Sequence, residues 1–225
     1  MTASKVRPMS AAALVSIGLL GALVGLVVPL VSLRFATAGA RPPAFPGPQP
    51  AWRPWVDPMV AASVFVGLAV AVGDDPALPV FLAVAPVGLV LARVDLACLR
   101  LPDPLVLVAG LLALAGLTVA ALLSGVPGRL LGALGGAAVA GAAHVLLALL
   151  PGSRLGFGDV KLAAVLGLPL GWLGRDALLT GLVLPHLLHG GLALGLLAAR
   201  KVHRNTLLPL GPALLTGAWL ATLLT

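Results

Sequence analysis

Eight apolar runs, each 14 to 23 residues long, account for most of this chain: 11–33, 58–73, 77–92, 104–124, 129–150, 160–173, 177–198 and 207–224. Sixty per cent of the residues are apolar, 9% are charged, and mean hydropathy is +1.13. A water-soluble domain cannot hide that much apolar surface, because its exposed shell still needs polar cover. Lipid is therefore the solvent for most of the chain. Inside hydrocarbon, backbone amides must be satisfied within a helix or a closed barrel. The runs lack the polar/apolar alternation of a barrel. The expected fold is all-α, a polytopic transmembrane helix bundle of about eight spans. Since a span takes about 20 helical residues, the second, third and sixth runs are short.

Charge orients such a bundle. With the segment 34–57 in the cytoplasm and sides alternating thereafter, ten of the 14 Lys and Arg residues fall inside and four outside. The net charge of +7 is scattered between apolar runs and not gathered on one face, which points to membrane orientation and away from nucleic acid. Lys5 and Arg7 are discordant: with the small residues ending at Ala40 they also fit a signal sequence. The 23-residue run that follows is long for a signal core, so a retained first span is expected. Between Arg41 and Pro58 lie seven prolines with Trp52 and Trp55, which reads as an extended linker with tryptophans at the interface.

Chemistry must come from few groups. There is no glutamate, and the acids are Asp57, Asp74, Asp75, Asp95, Asp103, Asp159 and Asp176. The single cysteine, Cys98, excludes an internal disulfide and a cysteine-only zinc cluster. Two stretches interrupt the apolar pattern: Val94 to Pro104, between the third and fourth spans, and Gly156-Phe157-Gly158-Asp159-Val160-Lys161, where the sixth begins. Both fall on the side assigned to the cytoplasm, which brings Asp95 and Asp159 to one membrane face. Two carboxyl groups sharing a proton can hydrolyse a peptide, one acting as base on water and the other protonating the carbonyl or leaving amine. Ionisable groups at membrane depth are costly and default to function. The bland alternatives are Asp159 as a helix N-cap and Asp95 as a surface charge beside Arg93 or Arg100.

The order of motifs resembles the type IV prepilin peptidase family. Its acid followed by a basic stretch and a hydrophobic-Pro-Asp matches Asp95 and Leu101-Pro102-Asp103; its Gly-x-Gly-Asp-x-Lys matches Gly156 to Lys161. A third element, Pro209-Leu210-Gly211-Pro212-Ala213-Leu214, is similar to the family's Pro-Phe-Gly-Pro-x-Leu with Leu210 in place of Phe. The likeness covers about residues 58–225, which would form the catalytic membrane domain after an N-terminal helix and loop at 1–57. It implies a catalytic pair at Asp95 and Asp159, with Asp103, Gly156, Gly158 and Lys161 supporting the site. It also implies a membrane aspartic endopeptidase of the bacterial cell membrane, acting at the cytoplasmic face on the basic leader of prepilin or pseudopilin-like substrates. No cofactor or metal is expected.

One departure matters. Longer family members carry two Cys-x-x-Cys pairs and an N-methyltransferase activity, whereas this chain has only the proline-rich loop at that position, so cleavage without methylation is expected. His186 and His189 lie one helical turn apart, and His144 is the one obvious further intramembrane candidate for a metal site. Hydrogen bonding between helices is the expected role of these histidines. Two other readings remain: a presenilin-like or signal-peptide-peptidase-like protease, for which Pro212-Ala213-Leu214 would be the shared element, and a non-catalytic scaffold or transporter subunit.

Overall fold

The structure, a computed structural model, describes residues 9–36 and 55–225. Eight α-helices and no strand occur among them: α1 (Ala11–Ala36), α2 (Val56–Val72), α3 (Leu78–Cys98), α4 (Asp103–Ser124), α5 (Pro127–Leu149), α6 (Phe157–Leu173), α7 (Arg175–Ala198) and α8 (Gly211–Leu224). Five of them, α1, α3, α4, α5 and α7, are long and apolar enough to cross a membrane. The all-α bundle expected from the apolar runs is thus present.

Local sequence sets the boundaries. Pro102 is extended ahead of α4, Pro104 occupies its first turn, and Gly125 closes it in the left-handed region at φ 66°. Pro127 opens α5 two residues later, because proline suits a first helical turn and glycine a position just past the last. Two boundaries differ from expectation. Helix α3 runs on through Asp95 to Cys98, so Asp95 lies in its last turn and not in a loop. Helix α2 begins at Val56, two residues before the second apolar run, so that Pro58 lies in its first turn, where proline is tolerated. Lys5, Arg7 and most of the proline-rich loop, including Trp52, lie outside the described residues; Trp55 is exposed just before α2.

Small residues bring the helices into backbone contact. Helices α5 and α6 form the most extensive pair. A Cβ built on Gly136 would lie 2.7 Å from the Gly171 Cα, and one on Gly167 would lie 2.8 Å from the Ala137 Cα. Helix α1 packs on α2 in the same way, Gly25 against the backbone of Pro58 and Gly21 against the carbonyl of Ala61. Without a hydrophobic driving force between helices in lipid, such close approach is what makes association favourable. The largest apolar cluster gathers Leu68, Phe81, Leu117 and Trp172 from α2, α3, α4 and α6.

Successive helices alternate in direction. The turns before α3, α5 and α7 gather at one end of the bundle, where Asp75 pairs with Arg129. The segments before α4, α6 and α8 gather at the other. All three family-like motifs lie at this second end.

Candidate active site

Asp95 is 4% exposed, carried by the last turn of α3. That turn is closed by Leu99, which adopts the left-handed conformation at φ 52° and donates its amide to the Asp95 carbonyl at 2.8 Å. Such a φ is uncommon for a bulky residue, and it turns the chain sharply toward Leu101 and Pro102, both buried. The Asp95 side chain accepts one hydrogen bond, from the Gly211 amide to Oδ2 at 2.9 Å, at the start of α8. Arg93, the cation two residues away, is engaged by Asp57 of α2. Asp95 is therefore a buried acid and not a surface charge.

Asp159 occupies the third position of α6. Its Oδ2 accepts the amide of Gly156 at 3.2 Å, so it closes the helix start from inside and is not itself the N-cap. This is half of a capping box, since glycine has no side chain with which to reciprocate. The glycines here serve space and not unusual dihedrals: Gly156 has φ −72°. A Cβ on Gly156 would stand 3.1 Å from Asp159 Oδ2, and one on Gly158 would stand 3.1 Å from the Leu101 Cβ.

Leu101 joins the three motifs. It lies against Gly158 on one side and Gly211 on the other, where a Cβ would come within 3.2 Å of its Cδ2 and 2.8 Å of Asp95 Oδ2. Residues widely separated in sequence thus meet around one leucine. Asp95 and Asp159 stand near enough for their charges to interact. On each carboxyl one oxygen accepts a backbone amide, and among the described residues no cation pairs with either. Sequence reasoning did not single out Leu101 as the bridge, because nothing distinguishes it from other leucines until the chain is folded.

Asp103 and Lys161 meet at 2.8 Å between Oδ1 and Nζ, and both are exposed. This ion pair ties the start of α4 to the first turn of α6, and the Lys161 ammonium also lies 5.4 Å from the Phe157 ring centroid. Exposed pairs contribute about 0.2–1 kcal/mol, so its effect is to align the two motifs more than to hold the fold.

An apolar cavity of about 490 Å³ lies between α2, α3, α6 and α8. Gly88 and Ala92 line it from α3, Leu166 and Pro169 from α6, and Pro212 and Leu215 from α8. Ala92 lies about one helical turn before Asp95, and Pro212 follows Gly211. Neither acid lines the cavity, which lies about one turn of α3 deeper in the bundle than Asp95.

The histidines depart from expectation. His144 and His186 bond within their own helices, Nδ1 to the carbonyls of Ala140 and Leu182 at 2.9 Å each, and their rings meet at 5.2 Å between centroids. Among the described residues no three His, Cys, Asp or Glu side chains are grouped to hold a metal.

With this geometry in hand, the relatives are informative. The model of the type IV leader peptidase family matches residues 82–193, a segment that holds Asp95, Asp103, Asp159 and Lys161. The prepilin leader peptidase/N-methyltransferase of Aeromonas hydrophila is 36% identical over 94 residues, 41% of this chain and 31% of that protein. The protein of the same description from Aeromonas salmonicida strain A449 gives the same identity and coverage. The chain thus spans about a third of the length of these curated relatives. No solved structure gives a significant match. The matched segment runs from α3 into α7, and by it the chain belongs to the type IV leader peptidase family.

Proposed function

We propose that this protein is a membrane aspartic endopeptidase, with Asp95 and Asp159 as its catalytic pair, that removes the short basic leader of prepilin or pseudopilin-like substrates. The observation that supports this reading is a pair of carboxyls near enough for their charges to interact, each accepting one backbone amide and, among the described residues, neither paired with a cation. Water held between the acids loses a proton to the ionised carboxylate and adds to the scissile carbonyl. The protonated partner donates to the carbonyl oxygen. Collapse of the tetrahedral intermediate breaks the C–N bond, and the amine leaves with a proton from the acids. No covalent intermediate forms. The apolar helix that follows the leader lies against the cavity wall, and the basic leader stays outside hydrocarbon.

The acids face the cytoplasm in this reading, because the distribution of Lys and Arg favours that side for the segments before α4, α6 and α8. Cleavage proceeds without methylation, because a chain with Cys98 as its single cysteine has no Cys-x-x-Cys pairs.

The test uses the protein reconstituted in lipid with a synthetic substrate of basic leader, glycine and apolar helix. Mass spectrometry should find a cut after the glycine at the helix edge and no methyl group on the new N-terminus. Asp95→Asn and Asp159→Asn should each slow cleavage by about 10²–10⁴-fold, the range of general acid–base catalysis. If both variants cut at the wild-type rate, the pair is misassigned; a cut inside the apolar helix would favour a presenilin-like protease.

A further inference from the structure

Both acids of the proposed pair lie on helix faces that continue into one cavity. Asp95 shares a face of α3 with Ala92, Gly88 and Phe81, each three, four or seven residues from the next, and all three line the apolar cavity. Asp159 shares a face of α6 with Leu166 and Leu170, which line it as well. On α8, Pro212 follows the Gly211 amide that holds Asp95, and Thr216 and Trp219 continue the lining over the next two turns. A second apolar groove, of about 470 Å³ between α1, α3 and α4, meets α3 at Pro86 and Val90, on faces turned away from Asp95. The first cavity is thus the one beneath the acids.

The cavity opens sideways. Of its lining residues, the exposed ones are Met59, Val60 and Ser63 on α2 and Thr216 on α8, so the opening lies between these two helices. Contacts on either side frame it. Toward the acids, Asp57 at the start of α2 pairs with Arg93 of α3. Deeper in the bundle, the Trp219 ring lies on Gly67, where a Cβ would come within 2.7 Å of it, and its indole N–H donates to the Val64 carbonyl at 3.3 Å. Helix α1 packs on a different face of α2, at Pro58 and Ala61. From Gly211 to Trp219 the chain advances eight residues, about 12 Å, so the opening spans about two turns of a helix.

We propose that the gap between α2 and α8 admits the apolar helix of the substrate from the bilayer, and that the cavity behind it takes the side chains about one and two turns past the cleaved bond. The inference rests on the reading of Asp95 and Asp159 as the catalytic pair. With the scissile bond held at the acids, the next turn of the substrate helix lies at the depth of Ala92 and Pro212, and the turn after it at the depth of Gly88 and Thr216. The lining sets what is accepted there. The Ser63 and Thr222 hydroxyls bond to carbonyls of their own helices at 2.9 and 2.6 Å, and no ionisable side chain lines the cavity. Lipid tails are as apolar as leucine, so leaving the bilayer brings no hydrophobic gain; the gain is dispersion contact on filling a space between helices. Selection is therefore by size and shape, large apolar side chains being favoured over alanine.

The experiment uses the full chain in lipid and the substrate of basic leader, glycine and apolar helix. Ser63→Phe and Thr216→Phe narrow the opening from exposed positions, outside the core. Each should raise KM about tenfold with kcat within about twofold of wild type. Leu131→Phe, at an exposed position of α5 away from the cavity, should change neither. In the substrate, alanine in place of leucine about four and eight residues past the glycine should also raise KM about tenfold, and about twelve residues past it less than twofold. A further arm does not read catalysis: a benzophenone side chain at position 63 should crosslink, in wild type and in Asp159→Asn alike, to substrate residues within about two turns of the glycine. Crosslinks to lipid acyl chains alone would overturn the proposal and make the cavity a lipid site; an unchanged KM in both phenylalanine variants would also overturn it. If Asp95→Asn and Asp159→Asn both keep cleaving while the crosslinks and KM respond as stated, the catalytic pair is wrong and the docking of the helix stands.

Discussion

The two ends of this bundle each hold half-buried or buried acids, and they treat them in opposite ways. At the end away from the motifs, Asp75 is saturated. Its Oδ1 accepts the Ala77 amide at 2.9 Å and the Trp172 indole N–H at 3.1 Å, while Oδ2 meets the Arg129 guanidinium at 2.6 Å. Arg129 in turn lies 4.4 Å over the Trp172 ring and donates to the Trp172 carbonyl. At the motif end, Asp95 and Asp159 have one amide each and share their neighbourhood with another acid. A carboxylate surrounded by donors is committed to its charge and to its place. One with a single amide keeps an oxygen for chemistry, and the protein forgoes stability there. The difference separates an acid that fastens helices from acids with an oxygen to spare, which the proposed endopeptidase would use.

That contrast can be broken or sharpened by substitution. After the two acids themselves, the largest effect should come from Gly211→Ala, whose Cβ would sit 2.8 Å from Asp95 Oδ2. The carboxyl must move, and cleavage should fall by up to about a hundredfold, the cost of displacing a reacting group by part of an ångström; a variant at the wild-type rate would show that the amide contact does not set the acid. Asp75→Asn should come next and act on stability instead. It leaves Arg129 half-buried without its carboxylate, and denaturation in detergent should show a loss of about 2 kcal/mol while the rate per folded molecule is unchanged. A rate change exceeding the stability change would make the two ends coupled and the contrast false. The smallest effect belongs to Lys161→Met, which breaks the exposed pair with Asp103. Stability should change by about 0.5 kcal/mol and cleavage by less than about threefold. A much larger loss of cleavage would place Lys161 on the substrate.

The bundle was legible because lipid imposes a simple rule on composition. Each of the eight helices falls on an apolar run, and Gly125, Pro127 and Gly174 mark ends that proline and glycine could be expected to mark. The site was legible as motifs and not as contacts. Asp95 was placed in a loop because Arg93 ended the apolar run, yet Arg93 is accommodated inside the helix by Asp57, 36 residues earlier. The true stop is Leu99, a residue with no sequence signal for a left-handed cap. Trp172 and Asp75 are 97 residues apart, and the meeting of His144 with His186 depends on the packing of two different helices. Such pairs follow from tertiary packing, which no local pattern encodes.

The length of α6 has a consequence for the access of water. Closed at both ends, by Gly156 and by Gly174, it has 17 residues and reaches about 26 Å, short of the roughly 30 Å of hydrocarbon in a typical bilayer. Its neighbour α5, bound to it through paired glycines, has 23 residues and reaches about 35 Å. Because α6 is largely covered by α4, α5, α7 and α8, protein and not lipid meets the shortfall. The pairing of Gly136 with Gly167 sets the start of α6 about three residues short of the end of α5, a recess of about 4–5 Å that, under the proposed function, would let water reach Asp159 from the membrane surface.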